Sequence, residues 1–252
     1  MKIALCLFGV VGNIYTDKDN YVWTRDVDYR IGLEYYQRRL FSVNDAEIDV
    51  FIHSWSTAYE EQLCRDYKPK KWLFEKQIDF GKETQARNFC KSRWYSTKAT
   101  VALKRAYEQE QDFEYDWVVL SRFDLALFKD MVLSKYDPNM FYPGHHEWSP
   151  DKIFIEQEPI FCDFFYYAAS RKMDAFSTLY DHWERYELYN AHWESYMQAK
   201  HLGFALRSDF MLGRDFELVR CVYENCHYRE GEYPGEEALV RSADYPIERF
   251  PM

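Results

Sequence analysis

The stretch Asp116-Trp117-Val118-Val119-Leu120-Ser121-Arg122-Phe123-Asp124-Leu125-Ala126-Leu127 decides the fold. From Trp117 to Leu120 it is apolar at every position, the pattern of a strand covered on both faces. From Ser121 it alternates, so that Arg122, Asp124 and Ala126 share one face while Phe123, Leu125 and Leu127 share the other. A buried strand that ends in an Arg and an Asp two residues apart carries a compact polar group at its mouth. A structural ion pair sealing the strand end would give the same spacing.

Two further runs follow the same plan. Ile3-Ala4-Leu5-Cys6-Leu7-Phe8 runs into a loop with Gly9, Gly12 and Asn13, and Ile48-Asp49-Val50-Phe51-Ile52 runs into His53-Ser54-Trp55. Between the strands lie helical patterns. Tyr29, Leu33, Tyr36 and Leu40 recur at helical spacing. Residues 92–107 place Tyr95, Ala99, Ala102, Leu103 and Ala106 on an apolar stripe, with Arg93, Ser96, Thr97, Thr100 and Lys104 on another face. Met173, Phe176, Tyr180 and Trp183 mark a later helix, and residues 193–202 another. Strands alternating with helices predict an α/β fold with a mixed, mostly parallel central sheet flanked by helices. Ligands of such sheets gather at the carboxyl ends of the strands. The predicted site therefore joins residues 9–13, residues 53–55 and the residues after Leu120. Residues from about 231 onward, with Pro234, Gly235, Pro246 and Pro251, are expected to form an irregular tail.

Composition narrows the function. The 252 residues are 47% hydrophobic and 19% aromatic, which excludes wholesale disorder. The net charge is −10, a poor basis for nucleic-acid binding. No run approaches the length of a membrane helix, and the N-terminus reads as a strand rather than a leader, so a soluble, cytoplasmic chain is expected. The six cysteines are expected to be reduced, with Cys6 and Cys162 as small core residues. Cys221, Cys226 and His227 lack a second pair at zinc spacing. The H-E-x-x-H and G-x-S-x-G patterns are absent. His145-His146-Glu147 reads as a solvated turn.

Asp163 interrupts the apolar run Pro159-Ile160-Phe161-Cys162-Asp163-Phe164-Phe165-Tyr166-Tyr167. Burying a carboxylate there requires partners, so it is paired, functional, or a cap of a nearby turn. Glu194 stands where a first-turn acid suits the helix dipole.

The order of these motifs resembles that of small GT-A-type glycosyltransferases of bacteria and large algal DNA viruses. Asp163-Phe164-Phe165-Tyr166-Tyr167 and Trp193-Glu194-Ser195-Tyr196-Met197 look like that group's acidic segment and its downstream Glu-bearing helix. The resemblance implies one Rossmann-like domain over residues 1–252, with a nucleotide-binding part (1–128) and an acceptor and catalytic part (129–252). It implies transfer of a sugar from a nucleotide-diphosphate sugar, UDP-sugar favoured, to a hydroxyl of a glycan acceptor.

On that resemblance Leu7, Phe8, Gly9 and Asn13 border the nucleotide. His53, Ser54 and Trp55 flank its base or ribose, and Arg93 and Lys98 approach the ribose or diphosphate. Arg122 and Asp124 hold the donor, with Asp124 at the first Asp of a D-x-D motif that binds Mn²⁺ or Mg²⁺. Asp163 takes the place of a general base in an inverting reaction, with Glu194 as a second catalytic acid. The motif departs from the family at Ala126, where the second carboxylate is missing. An Asp about 4 Å from a phosphate charge costs roughly 4 kcal/mol at an effective dielectric of 20, so either a cation separates them or Asp124 holds sugar hydroxyls beside Arg122. A non-catalytic carbohydrate-binding protein with a vestigial nucleotide site is the alternative.

Overall fold

In the computed structural model, residues 1–16, 22–26, 29–81, 84–145, 161–186 and 190–219 are described, residues 12–16, 22–26, 85 and 86 for their backbone alone. His146, Glu147, Cys221, Cys226, His227 and the expected C-terminal tail lie outside the described residues.

The strands are β1 (Lys2–Gly9), β2 (Gly12–Thr16), β3 (Val22–Asp26), β4 (Glu47–Ser54), β5 (Lys71–Phe74), β6 (Trp117–Arg122), β7 (Leu125–Leu127), β8 (Met140–His145), β9 (Phe161–Ala168), β10 (Ala205–Leu206) and β11 (Phe216–Leu218). The helices are α1 (Tyr29–Tyr36), α2 (Glu60–Tyr67), α3 (Gln85–Gln111), α4 (Ser170–Ser177) and α5 (Ala191–His201). Seven strands form one sheet in the order β10-β8-β9-β6-β1-β4-β5. β1 pairs in parallel with both β4 and β6, and β5 extends the parallel half. β9 runs antiparallel between β6 and β8. Because β8, β9 and β10 join the strands of residues 1–128, the two parts expected from the sequence share one sheet. The α/β class with a mostly parallel, mixed sheet holds.

Alternation along each strand divides the core in two. Ile3, Leu5, Leu7, Val50, Ile52 and Val119 pack with Tyr29, Tyr36, Leu40 and Leu63 on one face. Ala4, Cys6, Phe8, Phe51, Val118 and Leu120 pack on the other with residues of α3, α4 and α5, among them Trp94, Val101, Met173, Phe176 and Ala199. Helices on both faces explain why the strands read as unbroken apolar runs.

α3 is longer than residues 92–107. The Thr84 hydroxyl accepts from Arg87 N, and the helix stops at Asp112, whose φ is 52°. Its orientation also differs from the expected stripe. Trp94, Ser96, Thr97, Thr100, Val101 and Lys104 are buried, while Ala102 is exposed. Polar residues go inside because they have partners there. Lys104 Nζ is 2.8 Å from Glu108 Oε2 and 2.7 Å from Asp174 Oδ1, and it also bonds Ser170 Oγ. Thr100 donates to the Phe51 carbonyl at 3.2 Å. β4 likewise extends past Ile52 through His53 and Ser54.

The later helix breaks into α4 and a 3₁₀ segment, Thr178–Arg185, with a kink at His182. α1 passes directly into a π-helical turn, Gln37–Phe41.

Candidate functional site

The chain runs β1, β4, β5 outward on one side and then returns through α3 to β6 on the other side of β1. The strand order therefore reverses between β1 and β6, where an open α/β sheet forms its ligand crevice. In register, Phe8 lies beside both His53 and Arg122, and Gly9 lies beside Ser54. The three expected strand mouths thus share one edge of the sheet.

Gly9 turns the chain out of β1 with φ at 108°, a conformation other residues rarely adopt. Its backbone is spent inside the protein. Gly9 N–H donates to Ser96 Oγ at 3.1 Å, and its carbonyl accepts from Ser54 Oγ at 2.9 Å and Trp55 N at 3.3 Å. His53, fully buried, has Nδ1 2.6 Å from Ser96 Oγ and Nε2 3.1 Å from Glu75 Oε1. One proton arrangement satisfies all of these groups: Ser96 accepts from Gly9 and donates to Nδ1, and Nε2–H donates to Glu75. Burial lowers the His53 pKa against the opposing pull of Glu75, which suits the neutral ring.

These contacts revise the roles expected of several residues. Leu7 is wholly in the core, Phe8 is nearly so, and His53 and Ser54 point inward. Trp55 is buried and stacked on Tyr95 with ring centroids 5.2 Å apart, so its face is already covered. Leu7 and Phe8 thus belong to the two cores on opposite faces of the sheet rather than to an open surface. Asn13 lies in the β2–β3 hairpin, paired with Arg25, and its side chain is outside the described residues.

The polar centre comes from β6, β9 and α3. Arg122 holds Asp124 with a two-pronged fork, Nε to Oδ1 at 2.7 Å and Nη2 to Oδ2 at 2.6 Å. The shared face expected from alternation is therefore real, although a turn at residues 123 and 124 separates β6 from β7. Asp124 is buried, whereas the Arg122 side chain keeps 30% of its surface and lies 5.5 Å from the Phe164 ring. Burial disfavours the Arg122 charge, but Asp124 outweighs it and the net effect raises its pKa. The Tyr36 hydroxyl, 2.6 Å from Ser121 Oγ and 2.7 Å from the Arg122 carbonyl, braces this strand end from α1.

Asp163 lies within β9, not at a helix cap. Arg93 Nε donates to its Oδ2 at 2.7 Å, and Arg93 also reaches the Asp163 carbonyl and Thr97 Oγ1. The Arg93 guanidinium sits 4.1 Å over the Phe8 ring, which ties α3, β1 and β9 together. His192 Nδ1 is 2.9 Å from the Asp163 backbone N and 3.0 Å from Oδ1. A neutral ring accepts the backbone N–H there, whereas an imidazolium donates to the carboxylate. Burial pushes the Asp163 pKa up, but Arg93, His192 and Arg122 overcome it and hold the carboxyl well below the usual carboxylate range.

Two expected residues are employed elsewhere. Glu194 is buried, with Oε2 accepting from Trp94 Nε1 at 2.8 Å and Oε1 accepting from Asn190 N at 3.1 Å. Asn190 in turn caps His192 N and Trp193 N, so Glu194 completes the start of α5. Lys98 pairs with Asp181 and lies 5.8 Å from the Tyr180 ring. At about 100° per residue it stands well around α3 from Arg93.

Sequence reading missed His192, Ser96 and Tyr36 as parts of this edge. The only available signal for His192 was its place just after Asn190, a capping residue at a helix start.

The divalent-cation expectation meets a specific geometry. Both Asp124 oxygens are taken by Arg122, and Ala126 offers no donor. Glu217 faces Ala126 across the β7–β11 ladder, but its Oε1 accepts from Leu218 N. Among the described residues no three His, Cys, Asp or Glu side chains gather. As arranged, these side chains do not form a cation site.

No protein-family model matches the chain, and no curated protein does. Its class is thus defined by fold: an α/β protein with a cluster of paired charged side chains where the strand order reverses.

Proposed function

We propose that the chain is a glycosyltransferase that takes a sugar from a nucleotide-diphosphate sugar, UDP-sugar favoured, and passes it to a glycan hydroxyl. The observation that supports this best is the pairing of Phe8 with Arg122 at the β1–β6 reversal, beside the Arg93–Asp163 pair. Two arginines at one crevice suit a diphosphate, because a guanidinium offers a planar fork to phosphate oxygens. Phe89 and Trp193 are exposed within the first turns of α3 and α5, one turn from Arg93 and one residue from His192. Such rings suit the apolar faces of sugars.

In the transfer, the acceptor oxygen bonds to the anomeric carbon as the bond from that carbon to the diphosphate oxygen breaks. Arg122 and Arg93 stabilise the charge left on the diphosphate. Asp163 receives the acceptor proton. Paired as it is, Asp163 is a weak base, and drawing Arg93 toward the phosphates would raise its proton affinity. A cation at Asp124 would have to displace the Arg122 fork.

The alternative, a non-catalytic glycan-binding protein, is favoured by one observation: both carboxylates of the crevice are already neutralised by arginines. A thermal-shift panel of nucleoside diphosphates, nucleotide sugars and glycans, each with and without Mn²⁺, separates the readings. The transferase gains stability from the nucleotides, about 2.7 kcal/mol at 100 times the dissociation constant. A response to glycans alone would favour the binding protein.

A further inference from the structure

A second polar recess lies away from the crevice, in a cleft of about 460 Å³ lined by Arg39, Phe128, Lys129, Asp130, Val132 and Lys135, with Tyr136 at its end. The Tyr136 ring is 6.4 Å from that of Trp117, the first residue of β6. Arg122 is five residues further on, roughly 17 Å along an extended strand. No residue of this lining belongs to the strand-end group of Arg93, Arg122, Asp124 and Asp163.

The cleft is built on fixed backbone. Met131 N donates to the Arg39 carbonyl at 2.8 Å. The buried Asn44 amide donates to the Leu40 and Met131 carbonyls, both at 2.7 Å, and its oxygen accepts from Leu133 N at 2.8 Å. These bonds clamp the segment after β7 to the π-helical turn that carries Arg39. Such turns are rare and recur at functional sites.

Charge in the lining runs against that of the chain. Three cations face one carboxylate in a protein of net charge −10. Arg39 Nη1 is 3.0 Å from Asp130 Oδ1. Lys129 Nζ donates to the Asp209 backbone carbonyl at 2.7 Å, and the Asp209 carboxylate pairs with Arg207 at 3.1 Å. Lys135 is exposed and has no ion pair among the described residues. Lys135 therefore has no carboxylate partner among the described residues, whereas Lys129 lies in the field of the Asp215 carboxylate and 4.9 Å over the Phe210 ring. Phe128, Val132 and Tyr136 supply an apolar wall beside the cations. A volume in this range suits a small ligand.

The geometry points to a binding site for a phosphate monoester carried on a compact aromatic or apolar body. Arg39, Lys129 and Lys135 hold the phosphate, and Phe128 and Tyr136 contact the body.

Calorimetric titration of the intact chain with phenyl phosphate, at fixed ionic strength, tests this. Saturable binding is expected, with no binding of the uncharged phenyl β-D-glucoside. The double variant Lys129→Ala/Lys135→Ala should weaken phenyl phosphate at least tenfold, while Arg93→Ala leaves it unchanged. Both lysines are exposed, and an unaltered melting temperature confirms that the double variant is folded. Unchanged affinity in the double variant, or loss of affinity in Arg93→Ala, would overturn the assignment. So would the absence of saturable heat, including a case in which phosphatidic-acid vesicles bind and phenyl phosphate does not.

Discussion

His53 has no access to solvent, so its charge state is tied to folding. Its folded pKa lies below the ordinary value of about 6.5, so below that pH the unfolded chain binds more protons. The neutral ring's contribution is therefore complete above about pH 6.5 and is lost as pH falls toward the folded pKa. Melting temperatures between pH 7.5 and 5.5 should drop more steeply in the wild type than in His53→Gln, and parallel slopes would refute this. Asp163 obeys the carboxylate rule: its stabilisation is present above the unfolded value near 4 and is lost as pH falls through the depressed folded pKa. Asp163→Asn leaves Arg93 buried without its counter-charge, a change of about 3–5 kcal/mol. Denaturant midpoints measure that cost, and the folded fraction of the variant should show no sugar transfer. Arg122, Asp124 and Asp163 were legible as chemistry because charges in or beside apolar runs demand partners, whereas Arg93 entered only through the family resemblance. Which partner each takes was not legible, since Arg93–Asp163 spans 70 residues.

Helix orientation was the least readable feature at the scale of elements. The periodicity of α3 gave an alanine-rich stripe at residues 99, 102, 103 and 106, yet the sheet receives Trp94, Thr97, Val101 and Lys104. Small apolar residues tolerate exposure, whereas Ser96 and Thr100 are held by strand backbone groups that no local pattern reveals. α1 illustrates the converse, a close approach that depends on one missing side chain. A Cβ on Gly32 would fall far inside van der Waals contact with the Phe123 carbonyl oxygen and 3.3 Å from that of Leu125. Backbone cannot yield there as a flexible side chain can. Gly32→Ala is therefore expected to push α1 off the turn between β6 and β7, costing about 1–3 kcal/mol. Amide exchange at residues 122–127 should speed up in the variant, and an unchanged exchange pattern would contradict the packing described.

For the molecule as a whole, the strand sequence was readable because three runs are apolar on both faces but for Asp49, the pattern of a sheet covered on both sides. The antiparallel insertion of β9 between β6 and β8 was not, because strand pairing leaves no mark in a run that is buried on both sides. The reversal of strand order beside β1 is what the proposed function rests on, and that proposal puts a diphosphate between β1 and β6. Calorimetry with UDP on the wild type, Arg122→Ala and Arg93→Ala tests that statement most directly. The account predicts one saturable site in the wild type, weakened at least tenfold by either substitution in protein that remains folded. Equal affinity in all three proteins, or no affinity for any nucleoside diphosphate in the wild type, would contradict it.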